Sequence, residues 1–224
     1  MIRKPKLAID TTQKQPDMIQ HPNSDCIHPP PRRHVLLLSC MDRRLLDNTV
    51  VFMNNYNLIN RYDQVVFAGA ALGVMQLGSS PVDGDPVARH SAWKDVFFHH
   101  LKIAIDDLER KIKDVFILEH RDCGAYEHFH PYHRQPYCED DAGQNLEKQH
   151  HCEQAFLLAS AIRDYCQEQY NQSKHVYETT RCGEERFRAK KRMEAWQDIR
   201  VKCFLMDLLG NVEHLCETDS AQCC

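Results

Sequence analysis

The chain lacks a net positive charge, a long apolar run and a secretory signal. Its 224 residues include 28 Lys and Arg against 32 Asp and Glu, which gives a formal charge of −4. Nucleic-acid binding by bulk electrostatics needs a basic surface, so this balance excludes that class of protein. No run of about 18 apolar residues predicts a membrane-spanning helix, and no apolar segment near the start predicts an export signal. We therefore expect a cytoplasmic protein with neither a nucleic acid nor a membrane as partner.

Cysteine and histidine are abundant instead. The sequence contains 11 cysteines and 14 histidines. In a chain without an export signal, such a composition favours reduced thiols and metal binding over disulfide bonds. The odd number of cysteines agrees with this interpretation, because at least one thiol must stay unpaired within the chain.

Four short apolar runs predict the strands of one buried sheet. Such runs are typical of parallel strands that are covered on both faces. Helical patterns separate them, and this alternation indicates an α/β fold with a mostly parallel central sheet flanked by helices. Residues 1–33 are polar and proline-rich, so we expect an extended N-terminal arm before a single domain at 34–224. The predicted strands are residues 34–39, 64–68, 114–118 and 201–206.

Three longer segments have helical patterns. Residues 93–111 repeat apolar side chains at three- and four-residue spacing, and residues 178–198 are rich in Arg, Lys and Glu, which predicts a solvated helix. Glycine and proline predict loops at residues 78–90 and 128–143. Residues 147–169 predict another helix, whose inner face we assign to Phe156, Leu157, Ser160, Ala161, Asp164 and Tyr165.

Two predicted strands end in side chains that bind zinc. Cys40 follows the first strand, and His120 and Cys123 follow the third. The carboxyl ends of parallel strands meet at one edge of a sheet, so one nitrogen and two sulfurs, ligands that zinc prefers, are expected there. Three protein ligands leave a position for water, which ionises near pH 7 on a catalytic zinc. The alternative is two buried cysteines and a core histidine.

Asp42 and Arg44 follow Cys40 closely. Arg44 can hold the Asp42 carboxylate in a charge-assisted pair. Asp42 would then accept a hydrogen bond from zinc-bound hydroxide and orient an oxygen lone pair toward a substrate. Direct ligation of zinc by Asp42, as a fourth ligand, would instead expel the water and close the site. An ordinary structural ion pair is the alternative role for these two residues.

The order of the two motifs resembles the β-class carbonic anhydrases. Cys40, Asp42 and Arg44 match C-x-D-x-R, and the segment from His120 through Cys123 matches H-x-x-C-G-A. The resemblance implies Zn²⁺ held by Cys40, His120 and Cys123, with Asp42 and Arg44 as a catalytic dyad. It also implies a zinc-dependent lyase, a carbonate dehydratase, in which zinc-bound hydroxide reversibly hydrates carbon dioxide to bicarbonate.

This resemblance extends from about residue 34 to residue 215, so we expect residues 34–224 to form a zinc-containing α/β catalytic domain. The family implies homodimers or larger homo-oligomers, with substrate pockets at the dimer interface. Two insertions depart from the family pattern: Cys40 and His120 lie 80 positions apart, with the surplus at residues 78–90, and a second surplus follows His128.

A third departure concerns the loop after the second strand. Many family members carry Arg-Asn-Ala-Gly there, whereas residues 66–70 of this chain read Val-Phe-Ala-Gly-Ala. The loss of an arginine and an asparagine beside the site keeps a second substrate open, since carbonyl sulfide and carbon disulfide hydrolases use the same scaffold. A further alternative is a non-catalytic zinc-binding interaction protein whose insertions bind a partner.

A second group of histidines and cysteines lies in and after the second insertion. Its spacings match no regular metal site, so both a solvated loop and an independent metal site remain open. Proton relay from the zinc-bound water is a third hypothesis. The group consists of His128, His130, His133, Cys138, His150, His151 and Cys152.

Overall fold

The structure is a computed structural model that describes residues 34–76, 92–131, 133 and 135–217. For residues 216 and 217 it describes the backbone alone. The predicted N-terminal arm at residues 1–33 and the insertion at residues 78–90 lie outside the described residues.

Five strands form one sheet in the order β2-β1-β3-β4-β5. The first four run parallel to their neighbours, and β5 pairs antiparallel with β4. The mostly parallel α/β architecture expected from the sequence is therefore confirmed. The strands are β1 (His34–Ser39), β2 (Tyr62–Val66), β3 (Ile112–His120), β4 (Arg200–Met206) and β5 (Val212–Glu217).

Helices cover both faces of the sheet. None of those described combines the length and the apolar character needed to cross a membrane. The helix that begins at Trp93 changes to a π-helical turn at Ile103–Asp107, so it ends before the predicted residue 111. The helices are α1 (Leu46–Asn55), α2 (Ala71–Met75), α3 (Trp93–Lys102), α4 (Gly124–Phe129), α5 (Asp141–Thr179) and α6 (Gly183–Trp196).

Alternate side chains of β1 pack into cores on opposite faces of the sheet. Leu36 and Leu38 join a core that contains side chains of α3 and α5. Val35 and Leu37 join the opposite core, which contains Phe52 of α1. Each fully buried side chain of this size stabilises the fold by roughly 1.5–3 kcal/mol. Burial on both faces explains why β1 is a continuous apolar run without polar alternation.

The inner face of α5 differs from the prediction. Phe156 and Leu157 are 44% and 42% exposed, and Asp164 is exposed as well, so the predicted face is wrong at these three residues. The buried set repeats at three- and four-residue spacing, as a core-facing helix stripe should. The predicted face was centred on the adjacent Phe156 and Leu157, whereas the buried stripe is displaced by one position and includes Leu158. The buried residues are Ala155, Leu158, Ala159, Ile162 and Cys166.

Candidate metal centre

The ends of two neighbouring strands bring Cys40, His120 and Cys123 together. β1 and β3 run parallel and adjacent, so the residues at and just beyond their carboxyl ends share one edge of the sheet. The three ligand atoms lie within 4.8 Å of one another, and the two sulfurs are 3.9 Å apart. Within the described part of the chain, no second set of three His, Cys, Asp or Glu side chains converges as closely. One nitrogen and two sulfurs therefore face a common point.

The hydrogen bonds of His120 fit a metal ligand. Its Nδ1 lies 2.8 Å from the carbonyl oxygen of Arg121, so Nδ1 carries the proton and donates it there. Its Nε2 is buried, and although burial opposes the shift, the contact with Cys40 raises the pKa of His120. An imidazole nitrogen beside two sulfurs is the donor set that zinc prefers, a cation that binds here would displace the proton from Nε2, and the carbonyl of Arg121 fixes the ring orientation.

A glycine turn after β2 supports Cys40. The Gly69 N–H donates a hydrogen bond to Cys40 Sγ at 3.3 Å. Gly69 has φ of 71°, and a Cβ at this position would lie 2.9 Å from the Ala125 Cβ, so only glycine fits without strain. The N–H of Ala71 donates to the buried carboxyl of Glu119 at 2.9 Å. This bond fixes the turn to β3 and so holds the Gly69 amide against the sulfur.

The two cysteine sulfurs are hydrogen-bonded to each other at 3.9 Å. The contact with Cys123 lowers the pKa of Cys40, although burial opposes the shift, and the neighbouring His120 lowers it further. The same contact, together with burial, raises the pKa of Cys123 above its ordinary value. The two thiols thus differ in acidity, and Cys40 ionises more readily. A divalent cation that binds both sulfurs must displace the proton of Cys123.

Arg44 lies on a short 3₁₀ turn, Arg43–Leu45, and Asp42 caps the N-terminus of this turn two residues after Cys40. The Arg44 Nε donates to both carboxylate oxygens of Asp42 at 3.1 Å, and Nη2 donates to Oδ2 at 2.7 Å. These hydrogen bonds lower the pKa of Asp42 from 3.8 to about 2. Asp42 Oδ2 lies 4.0 Å from His120 Nε2, next to the donor set but beyond hydrogen-bond distance. Asp42 is therefore paired with Arg44 in this conformation.

Sequence reasoning missed two residues at the site. Asp122 Oδ2 lies 2.6 Å from Nη1 of Arg44, which thus binds two carboxylates. Glu147 of α5 accepts a hydrogen bond from the Asp122 N–H at 2.6 Å. Asp122 could have been predicted from the sequence, because it is an acidic residue between two expected ligands. Glu147 could not have been predicted, because only the packing of α5 brings it to this edge of the sheet.

The histidine-rich segment forms stacked rings. The His130 and His150 rings lie 4.1 Å apart and nearly parallel, and His133 stacks on Tyr137 at 4.4 Å. The Tyr137 hydroxyl and His150 Nδ1 are 2.9 Å apart. Stacked rings direct their nitrogens outward from the stack, so the geometry does not support a second metal site. The predicted loop at residues 128–143 is shorter, since α4 ends at Phe129 and α5 begins at Asp141.

The described cysteines differ in oxidation state. Cys152 is disulfide-bonded, so the expectation of reduced thiols is wrong at this residue. The two sulfurs of the candidate metal centre are free thiols and remain able to bind a cation. The described free cysteines are Cys40, Cys123, Cys138, Cys166, Cys182 and Cys203.

Comparisons with known proteins leave the family open. No protein-family model matches the chain. Over 91 residues, 41% of this chain, it is 32% identical to an uncharacterized protein of Rickettsia bellii and 31% identical to one of Rickettsia conorii. These matches cover 48% and 42% of the two proteins, so the chain spans about half the length of the curated relatives it matches.

Two solved structures are similar at low scores. One comes from work on two tetrameric β-carbonic anhydrases of Sordaria macrospora, with 16% identity, coverage of 83% of this chain and 82% of that chain, and a TM-score of 0.32. The other is the β-carbonic anhydrase CafA of Aspergillus fumigatus, with 14% identity, coverage of 83% and 76%, and a TM-score of 0.32. Structural similarity at this level does not support a function for this chain, so a functional assignment must rest on the residues of the site.

Proposed function

We propose that this chain is a zinc-dependent lyase that reversibly hydrates carbon dioxide to bicarbonate, as the resemblance of its motifs to the β-class carbonic anhydrases implies. The observation that carries the proposal is the convergence of Cys40, His120 and Cys123 beside a carboxylate that is paired with Arg44. Neither feature alone specifies this chemistry. Together they provide three ligands for a divalent cation and an oriented hydrogen-bond acceptor next to it.

In this proposal Cys40, His120 and Cys123 hold the zinc. Zinc is a Lewis acid that lowers the pKa of a bound water molecule to about 7. Asp42 accepts a hydrogen bond from the attacking oxygen and turns a lone pair toward the substrate carbon. Since Arg44 lowers the pKa of Asp42 to about 2, Asp42 is too weak a base to keep a proton at neutral pH. It therefore orients the nucleophile, and the proton must pass to solvent or buffer.

We further propose that the chain assembles at least as a homodimer. Exposed apolar side chains lie on the segment after β1, at Met41, and on α1, close in sequence to Cys40. Leu46 and Val50, one helical turn apart, are both exposed on the same face of α1. Exposed apolar side chains that adjoin one another are typical of a protein interface. An interface there would border the site, as the family resemblance implies.

The test combines metal content with stopped-flow carbon dioxide hydration at pH 8.5. We expect the wild type to bind one zinc per chain, and Cys123→Ser to lose both zinc and activity. Asp42→Asn should keep its zinc and lose activity by roughly 10²-fold, the size expected when a group that orients the nucleophile is lost. Asp107→Asn, at an exposed acidic residue on the π-helical turn at the opposite end of the strands, is the matched control and should resemble the wild type. Zinc-loaded wild type without hydration activity would refute the proposal.

A sulfur-containing substrate is the second candidate, favoured by the loop after β2. Phe67 of this loop packs against Trp93 at a ring distance of 5.4 Å, where many relatives of the family would have polar side chains. Apolar surroundings favour a larger and more polarisable electrophile such as carbonyl sulfide or carbon disulfide. Sulfide release, measured beside carbon dioxide hydration with the same enzyme, distinguishes the two substrates. A zinc-binding interaction protein would show neither activity and would keep its partner after Asp42→Asn.

A further inference from the structure

Arg44 uses both edges of its guanidinium group. One edge, Nε and Nη2, binds the Asp42 carboxylate as described above. The other edge binds Asp122: Nη1 donates to the Asp122 side chain at 2.6 Å, and Nη2 donates to the Asp122 carbonyl oxygen at 2.8 Å. An arginine fixed on two edges has little freedom to rotate away from either partner.

Asp122 is itself fixed by neighbouring elements. Its φ of 55° is a left-handed conformation, which turns the chain between the two proposed ligands that flank it. Its N–H donates to Glu147 Oε1 at 2.6 Å, and the other oxygen of Glu147 pairs with Arg121 at 3.1 Å. Glu147 is buried, so α5 holds this turn in place from outside the sheet. The chain of contacts thus extends from α5 through Asp122 to Arg44.

The Asp42 carboxylate could either pair with Arg44 or bind the proposed metal, and binding the metal would require it to leave Arg44. The carboxylate now pairs with Arg44, and its Oδ2 lies 4.0 Å from His120 Nε2, within reach of the proposed metal position by a change of side-chain rotamer. We propose that Asp122, held by Glu147, is a positioning residue that fixes Arg44 and thereby keeps Asp42 from occupying the open position of the metal. This inference rests on the proposed function, because it concerns access to the zinc that the function requires.

The test is anion binding to the cobalt(II)-substituted full-length protein. Thiocyanate alters the visible spectrum of protein-bound cobalt(II) when it enters the open coordination position, so its dissociation constant reports access without any measurement of activity. Asp122→Asn is the informative variant, because asparagine tolerates the left-handed backbone conformation and removes the charge that binds Arg44. We expect the variant to bind thiocyanate about fivefold more weakly, the size of an exposed charge-assisted contact.

A second substitution separates competition from general damage. Asp42→Asn removes the competing carboxylate, so the Asp42→Asn/Asp122→Asn double variant should bind thiocyanate as tightly as Asp42→Asn alone. Glu147→Leu removes the acceptor for the Asp122 N–H and should weaken binding in the same direction as Asp122→Asn. Asp107→Asn, on the π-helical turn at the opposite end of the strands, should leave the dissociation constant unchanged.

The possible outcomes are distinguishable. Wild-type protein that binds no cobalt overturns the proposed metal centre, and this inference with it. Bound cobalt together with unchanged thiocyanate affinity in Asp122→Asn overturns the positioning role alone. If Asp122→Asn binds thiocyanate more weakly and the added Asp42→Asn substitution does not reverse this loss, the positioning role is also overturned. Such a result would indicate a distorted site and no competition from Asp42.

Discussion

At the scale of single residues, the candidate centre depends on pairs that fix one another. The Gly69 amide supports Cys40, the Arg121 carbonyl orients His120, and Arg44 holds Asp42. Each contact assigns one atom a defined role: the Cys40 sulfur accepts a hydrogen bond, the His120 Nδ1 donates one, and the Asp42 carboxylate stays ionised at neutral pH. Such contacts to metal ligands and to catalytic groups tune a site nearly as strongly as the ligands themselves.

Replacing Arg44 by glutamine should raise the pKa of Asp42 from about 2 toward its ordinary 3.8. A carboxyl group with a lowered folded-state pKa stabilises the folded chain above its unfolded-state pKa, and this stabilisation is lost as the pH falls through the folded-state pKa. Wild-type protein should therefore lose this contribution between about pH 4 and pH 2. Because Arg44 is exposed in part, the contribution at pH 7 should be below about 1 kcal/mol.

Carboxyl ¹³C NMR titration of the chelator-treated protein measures the Asp42 pKa directly, and urea unfolding at pH 7 measures the stability. Arg43→Gln is the matched control, since Arg43 lies on the same 3₁₀ turn and is exposed. An Asp42 pKa that stays near 2 in Arg44→Gln would show that another group, and not Arg44, is responsible for the shift.

At the scale of elements, α5 connects the core to the candidate centre. Its 39 residues pack small apolar side chains against one face of the sheet. The same helix supplies Glu147 to the turn that contains Asp122, and it supplies His151 to the buried carboxyl of Glu119 at 3.0 Å. A shift of α5 would therefore alter the support of the proposed ligands as well as the core.

The orientation of α5 predicts unequal effects for two adjacent leucines. Leu158→Ala should cost about 3 kcal/mol of unfolding free energy, because the side chain is fully buried and its removal leaves a cavity. Leu157→Ala removes the same atoms from a side chain that is 42% exposed and should cost less than about 1 kcal/mol. Urea unfolding of both variants measures the difference. An equal loss of unfolding free energy in the two variants, or a larger loss in Leu157→Ala, would contradict this orientation of α5 and favour the inner face predicted from the sequence.

The elements that the sequence predicted best are buried on both faces. β1 is a continuous apolar run, and β3 and β4 each contain one, because two-sided burial favours apolar side chains. Buried charged residues interrupt the other two strands at Asp114, Glu119 and Lys202. β5 lies at the edge of the sheet and mixes polar with apolar residues, so no apolar run revealed it. The three proposed ligands were predictable because they follow strand ends. Glu147 was not predictable, because tertiary packing brings it to the site and no local sequence pattern marks it.

At the scale of the whole molecule, the centre joins segments that are distant in sequence. Cys40 and Cys123, which follow β1 and β3, would be bound by one ion together with His120. An ion that binds the folded chain and not the unfolded chain stabilises it by about 2.7 kcal/mol at one hundred times its dissociation constant. Metal binding at this place should therefore stabilise the sheet as a unit.

Zinc added to chelator-treated protein should raise the midpoint of thermal unfolding by several degrees. Cys123→Ser should lose most of this increase, because one sulfur ligand is missing. Cys182→Ser is the matched control, since Cys182 is an exposed free thiol that caps α6 away from the centre. Calorimetry at fixed zinc concentration measures all three proteins. An equal increase in Cys123→Ser would place the stabilising ion elsewhere.

The apolar surface beside the centre leads to a prediction about assembly. Leu46 on α1 and Leu209 on the turn between β4 and β5 are 61% and 82% exposed. The two elements touch, since a Cβ on Gly210 would lie 2.9 Å from the Asn48 side chain. Isolated exposed leucines are ordinary, but adjacent ones on one side of a protein are typical of an interface. Burying them against a second copy would remove apolar surface from water in both chains.

Leu46→Asp should therefore convert a homodimer to a monomer, because the interface would have to bury a carboxylate from each copy without a partner. Sedimentation velocity at about ten micromolar, a concentration at which interfaces of ordinary size are saturated, measures the mass of each species. Leu108→Asp is the matched control: Leu108 is comparably exposed, but it follows the π-helical turn at the opposite end of the strands. A wild type that sediments as a monomer, or a Leu46→Asp variant that stays dimeric, contradicts an interface at α1. In the second case Leu46 does not lie at the centre of the dimer interface.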